Sequence, residues 1–178
     1  MTGPGGGTIF FVDDNSEYSD FDYMEMAPAG WGDGIPANPL QYEVQGTTTL
    51  DPIMKWCYEY YTDFRISGLP NEVVGAGARN TATADIGCSL GAIQAAVDYS
   101  GGGKEDWFLG SIGEMMLLSL VPDLRLGFSH QGNNSWANYW SSTEYNSEGA
   151  LFQNFNLDTQ SGSDKREDGK SVRPIRAF

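Results

Sequence analysis

Hydrophobic spacing changes character once along this chain, and that change limits the folds open to it. Between about Leu50 and Pro122, apolar residues recur at three- and four-residue intervals; from Gly127 onward they do not. The later pattern is short and alternating. In "ALFQNFNLD" (150–158), Leu151, Gln153, Phe155 and Leu157 fall on one face of an extended strand. Phe152, Asn154, Asn156 and Asp158 fall on the other, because strand side chains alternate. This reading buries Phe155 and Leu157 and exposes Phe152, Asn154 and Asn156. Helical spacing in the middle and strands at both ends point to an α+β chain. At 178 residues it suits one domain with a real core.

The elements follow. "GGTIFFVDD" (6–14) reads as a strand closed by acidic turn residues, and Phe21, Tyr23 and Met26 mark a second strand pairing back on it. Residues 27–49 are rich in Gly, Pro and Thr and read as loop. "LDPIMKWCYEYYTDF" (50–64) predicts a helix: Asp51 is a good N-cap, Pro52 suits the first position, and Ile53, Trp56, Cys57, Tyr60 and Phe64 make one core-facing stripe. "TADIGCSLGAIQAAVDYSGGG" (83–103) predicts a second, with Ile86, Leu90, Ile93 and Val97 in phase and Gly101 to Gly103 as its stop. A third begins at Ser111, which has capping-box spacing to Glu114. Ile112, Met115, Met116, Leu118 and Leu120 form its apolar face, and Pro122 ends it. "GSDKREDG" (162–169) reads as a charged turn. "SVRPIRAF" (171–178) reads as a final strand with Pro174 at an edge or bulge.

The search for chemistry excludes more than it finds. A formal net charge of −14 disfavours nucleic acid and anionic membrane. No apolar run reaches the roughly 18 residues of a membrane span, and "MTGPGGGTIFF" does not read as a signal peptide. His130 is the single histidine, in a loop without a nucleophile-elbow motif, so a catalytic triad and a three-histidine metal site both fail. "GAGARN" (75–80) reads as a turn, and "GGGKEDW" lacks the Ser or Thr of a P-loop. The oxygen-rich loops at 12–17 and 161–169 could hold a structural calcium, but neither has EF-hand spacing. No cofactor is expected. Cys57 and Cys88 could form one bridge; the reading prefers two buried thiols.

One stretch stands apart. "NYWSSTEYNSEGALFQNFNLDT" (138–159) concentrates Tyr, Asn and Ser with no Lys, His or Cys. Tyr offers contact area at low entropic cost and Ser and Asn adapt their hydrogen bonds, the mixture of antibody loops. A surface loop without a role has the same composition.

"GGTIFFVD" (6–13), "GGGKEDWFLGSIGEM" (101–115), "NYWSSTE" (138–144) and "VRPIRAF" (172–178), in that order and spacing, resemble a family with a C-type lectin fold. It is the formylglycine-generating-enzyme-like group of phage tail and bacterial surface proteins. The last quarter is similar to the variable proteins of diversity-generating retroelements. The chain departs from the pattern at Gly110, where the family usually has Pro, and at Leu151, where it often has Trp. The related oxidase uses a cysteine pair, but Cys57 and Cys88 lie far from any matching motif.

The resemblance implies antiparallel sheets, two to three helices and long loops in a single domain, 1–178. Residues 1–132 would be scaffold, 133–158 a variable ligand-binding face, and 159–178 a closing turn and strand. Tyr139, Trp140, Ser141, Ser142, Ala150 and Phe155 match scaffold positions. Asn133, Asn134, Asn138, Tyr145, Asn146, Ser147, Phe152, Asn154, Asn156 and Asp158 would be the variable face, with Tyr145 and Phe152 as anchors. Adenine-rich codons yield Asn, Tyr, Ser and Asp by single changes. The implied partner is a protein or glycan on a cell surface, without enzymatic activity, on a virion tail or a cell surface. Two alternatives stand beside this: an undiversified tail-fibre or adhesin domain binding carbohydrate, and an enzyme related to the oxidase.

Overall fold

The computed structural model describes residues 1–32, 51–59, 62–121, 128, 137–166 and 169–178. The chain is α+β. Strand β1 (Thr8–Val12) pairs antiparallel with β2 (Tyr23–Met26). The short β3 (Ile53–Met54) follows, then helices α1 (Gly77–Asp85), α2 (Ala92–Asp98) and α3 (Ile112–Ser119). Five strands close the chain: β4 (Asn138–Glu144), β5 (Gly149–Asn154), β6 (Thr159–Asp164), β7 (Lys170–Ser171) and β8 (Ile175–Ala177). They form a three-stranded sheet, β1-β2-β8, and a five-stranded sheet, β3-β7-β4-β5-β6. All pairings are antiparallel except β4 with β7. Pro174 lies between β7 and β8, outside both ladders, and its carbonyl accepts from Ala27 N–H.

Strand β4 is buried on both faces. Tyr139 and Trp140 are neighbours and so point to opposite sides. Tyr139 joins a cluster with Phe128, Phe155, Met115 and Leu118, and Trp140 joins another with Trp56, Trp31, Leu109 and Val172. The scaffold positions Ser141, Ser142, Ala150 and Phe155 are also buried. The Trp140 indole N–H reaches Met54 O at 3.0 Å, and that of Trp56 reaches Ser141 O at 2.8 Å. Both indoles are therefore buried without an orphan donor.

The third helix starts as its sequence predicts. Ser111 Oγ accepts from Glu114 N–H, and Glu114 accepts from Ser111 N–H at 2.6 Å. Gly110 stands immediately before this start. Its carbonyl receives Ser142 N–H at 2.8 Å and ties the helix to β4. Of the apolar stripe, Ile112, Met115 and Leu118 are buried, whereas Met116 and Leu120 are exposed.

Three expectations of secondary structure are corrected. Residues 50–64 do not form a helix. Asp51, the expected N-cap, is drawn into the core, where its carboxylate meets Arg173 and the Tyr139 hydroxyl (2.8 Å) and accepts from Gly30 N–H (3.1 Å). Trp56 and Cys57 are core, as the stripe implied, but on irregular chain after β3; Tyr60 lies outside the described residues. The second helix is two helices. Gly91 has φ +109° and passes so close to Lys55 and Trp56 that a Cβ would lie 2.8 Å from both carbonyl oxygens. Those carbonyls receive Ala92 and Ile93 N–H at the start of α2. Ile86, expected in the apolar stripe, is 87% exposed at the break. "GAGARN" likewise is no simple turn: α1 begins inside it at Gly77.

Cys57 and Cys88 are joined in a disulfide with Cα atoms 5.4 Å apart, not held as two thiols. Both are fully buried, and the bridge fastens the segment after β3 to the loop between α1 and α2.

Candidate functional site

The alternation read in residues 150–158 holds only to Asn154. Residues 155–158 turn, and β6 runs back along β5 from Asn154↔Thr159 to Gly149↔Asp164. β6 therefore takes in Gly162 to Asp164 of the expected charged turn, while Lys165 and Arg166 do turn. The β6 sequence, TQSGSD, has no apolar residue. An edge strand exposed along Thr159–Gly162 needs none, and so it has no periodicity to detect.

Turn geometry sorts the predicted face. At the β4–β5 turn, Tyr145 is 43% exposed and its ring lies over two glycines. A Cβ on Gly162 would sit 2.6 Å from the ring, and one on Gly149 2.2 Å from it. The ring is thus seated flat across β5 and β6. Asn146 is exposed, but its Oδ1 accepts from Glu148 N–H (2.9 Å) and Gly149 N–H (2.7 Å). It closes the turn on itself. Ser147 is half-buried, and its carbonyl accepts from the Lys165 ammonium at 3.1 Å.

At the other end, Asn156 and Asp158 are exposed, as expected. Asn154 is not: it is 7% exposed, donates to Asn138 Oδ1 at 2.7 Å, and accepts from Asn156 and Leu157 N–H at 3.0 and 2.8 Å. It builds the β5–β6 turn. Leu157, expected in the core, is 60% exposed because the chain turns before the alternation reaches it. Phe152 is half-buried: its ring meets Trp140 edge-on at 6.4 Å, and the Lys170 ammonium lies 4.8 Å from it. It is packed rather than displayed. Asn133, Asn134 and His130 lie outside the described residues.

The predicted face therefore becomes two patches, Tyr145 with Asn146 at one end of the sheet and Asn156 to Asp158 at the other, joined by the exposed edge of β6. Beneath the first patch lies a buried ion pair. Lys165 Nζ bonds Glu144, the Thr62 carbonyl (2.9 Å) and the Ser147 carbonyl, and lies 4.9 Å from the Trp56 ring. Burial pushes the Glu144 carboxyl up and the Lys165 ammonium down, and each partner opposes the other's shift.

The first of the loops considered for calcium is engaged internally at Asp13. Asp13 accepts from Glu17 and Tyr18 N–H at 3.0 and 2.8 Å, and the Tyr18 bond is the main cause holding its carboxyl below the ordinary range. Among the described residues, no group of three or more His, Cys, Asp or Glu is placed to hold a metal ion. No helix among them is long and apolar enough to cross a membrane. A cavity of about 590 Å³ lies between the β1–β2 connection and α1, with Tyr18, Phe21, Arg79 and Asp106 on its walls and none of the predicted face residues. Asp106 there is paired with Arg176.

No family model matches the chain, and no curated protein is similar to it. Among solved structures, a fimbrial protein from Bacteroides ovatus ATCC 8483 is similar at 16% identity and a TM-score of 0.46. The similarity covers 88% of this chain and 35% of that one, so the chain spans about a third of the length of the fimbrial protein.

Proposed function

We propose that this chain is a non-enzymatic binding protein of C-type lectin fold, recognising a receptor on a cell surface through its C-terminal edge, and that a diversity-generating retroelement rewrites that edge. One observation carries the reading. Between Tyr139 and Gly162, every scaffold match is buried, while Tyr145, Asn146, Asn156, Leu157, Asp158 and β6 from Thr159 to Gly162 are exposed. A rigid two-faced core beneath a small, polar, aromatic-bearing surface suits recognition whose specificity can change without unfolding. The buried Cys57–Cys88 bridge supports a structural role for the cysteines.

The test is a binding screen of the chain against arrayed cell-surface proteins and glycans, repeated with Tyr145→Ala and Asn156→Ala. Binding that falls with these changes, in a chain of unchanged melting temperature, supports the display reading. Loss of binding on chelation, with both variants binding normally, would replace it with a calcium-assisted lectin. The diversification claim is tested in the genome. It requires a near-identical repeat beside a reverse transcriptase, differing from this coding sequence only at adenines.

A further inference from the structure

Between α3 and the β5–β6 turn lies a groove of about 290 Å³. Its walls are Met116 and Leu120 from the helix, Gln153 and Gln160 from paired strand positions, and Asp158 from the turn. Gln153 is only 1% exposed, and its Oε1 is buried with no hydrogen-bond donor among the described residues. An orphan acceptor of this kind has given up its water without a replacement donor, which destabilises the free chain. Such groups are rare enough in folded proteins that each asks for a reason. The rest of the amide is held loosely, Nε2 donating to Asp158 Oδ1 at 3.3 Å and to Asn154 O at 3.5 Å. It can therefore turn its oxygen toward an arriving donor at small cost.

The groove is biased toward acceptors. Gln153 Oε1, the Asp158 carboxylate and Gln160 Oε1 can all accept, whereas the Gln153 NH₂ is engaged and, of these described wall side chains, the Gln160 amide is left to donate. A sugar hydroxyl brings an acceptor with each donor. A guanidinium or ammonium brings donors alone. The helix adds to the bias, since its C-terminal end carries partial negative charge and α3 has no basic residue in its last turn. Met116 and Leu120 are four residues apart on one face, about 6 Å along the axis, and both are exposed. That is the length of a methylene stem with a charged head beyond it. A net charge of −14 favours approach of a basic partner.

We propose that this groove is a subsite for an arginine or lysine side chain of a protein partner, its stem along Met116 and Leu120 and its head on Gln153 and Asp158. The proposal rests on the display reading, because Asp158 belongs to both.

The experiment needs no identified partner. The ¹⁵N-labelled chain is titrated with N-acetyl-arginine methylamide, its neutral citrulline counterpart and methyl mannoside. Expected are saturable shifts at the Gln153 side-chain amide and at the backbone amides of Leu120, Asp158 and Gln160. The arginine compound should bind about tenfold or more tightly than the citrulline one, as charge-assisted bonds outweigh neutral ones, and should weaken as salt rises. Asp158→Gly should abolish the shifts and keep the fold, because Asp158 sits at φ +54°, where glycine is relaxed. Gln153→Met, which keeps the volume and removes the acceptor, should weaken them. Equal binding of citrulline, shifts at these residues from the sugar alone, or no saturable shift would each overturn the subsite. Loss of array binding in Tyr145→Ala would stand in any of those cases, so the two readings fail separately.

Discussion

Replacing Lys165 by Met keeps an unbranched side chain at this buried position beside Trp56 and removes the charge. In the native chain the ammonium has three acceptors, Glu144, Thr62 O and Ser147 O, and both ionic side chains are buried, at 0% and 3% exposure. The variant leaves the Glu144 carboxylate with Phe64 N–H at 2.8 Å but without its counter-charge. Breaking a buried pair from one side costs about 3–5 kcal/mol, because the remaining charge stays desolvated. At a urea slope of about 2 kcal/mol per M, the unfolding midpoint should fall by about 2 M. Adding Glu144→Gln removes the stranded charge and should restore about 1–3 kcal/mol, a coupling a double-mutant cycle reads directly. Amide exchange in residues 145–148 should also quicken, since the turn loses its anchor at Ser147. A loss under about 1 kcal/mol for Lys165→Met, the scale of an exposed pair, or no recovery in the double variant, would refute the reasoning.

Trp140→Ala should cost about 3–5 kcal/mol in denaturant titration, whereas Asn156→Ala should change stability by under about 0.5 kcal/mol. Cys57→Ala with Cys88→Ala opens a bridge of sequence separation 31 and should destabilise by about 3–4 kcal/mol on the chain-entropy model, measured against the oxidised parent. By carbon-detected NMR titration, the Asp63 carboxyl should titrate at about 2 rather than the ordinary 3.8, chiefly because Arg65 bonds it. Its folded pKa is depressed. Its small surface contribution should therefore be complete above about pH 4 and disappear as pH falls toward 2.

What was legible in the sequence was local. The α3 start could be read because Ser111 and Glu114 are three residues apart, and β1 with β2 because a hairpin keeps its partners close. Residues 50–64 misled because a good N-cap followed by Pro is a local signal for a helix. Asp51 answers instead to Tyr139, 88 residues away, and Arg173, 122 away. Lys165 looked like a turn charge for the same reason, its acid lying 21 residues back. In the candidate site, composition marked out one stretch but could not sort its residues by burial. Asn146 and Asn154 look like displayed amides and bond their own turns, while β6, with nothing apolar in it, gave no sign of being the edge that joins the two patches.

The place of β7 bears on how the chain reaches this fold. It is the penultimate strand in chain order, yet it lies between β3 and β4 in the larger sheet. During synthesis the β4-β5-β6 meander can therefore form with one side of β4 open, and that side stays open until Lys170 and Ser171 emerge. An unpaired strand bearing Tyr139 and Trp140 is a template for pairing with other chains. Folding must also wait on contacts between distant segments, which slows it. Truncations that remove β7 should thus accumulate as aggregates rather than as a smaller folded domain, and expression of the chain should respond to how quickly its last ten residues follow the rest.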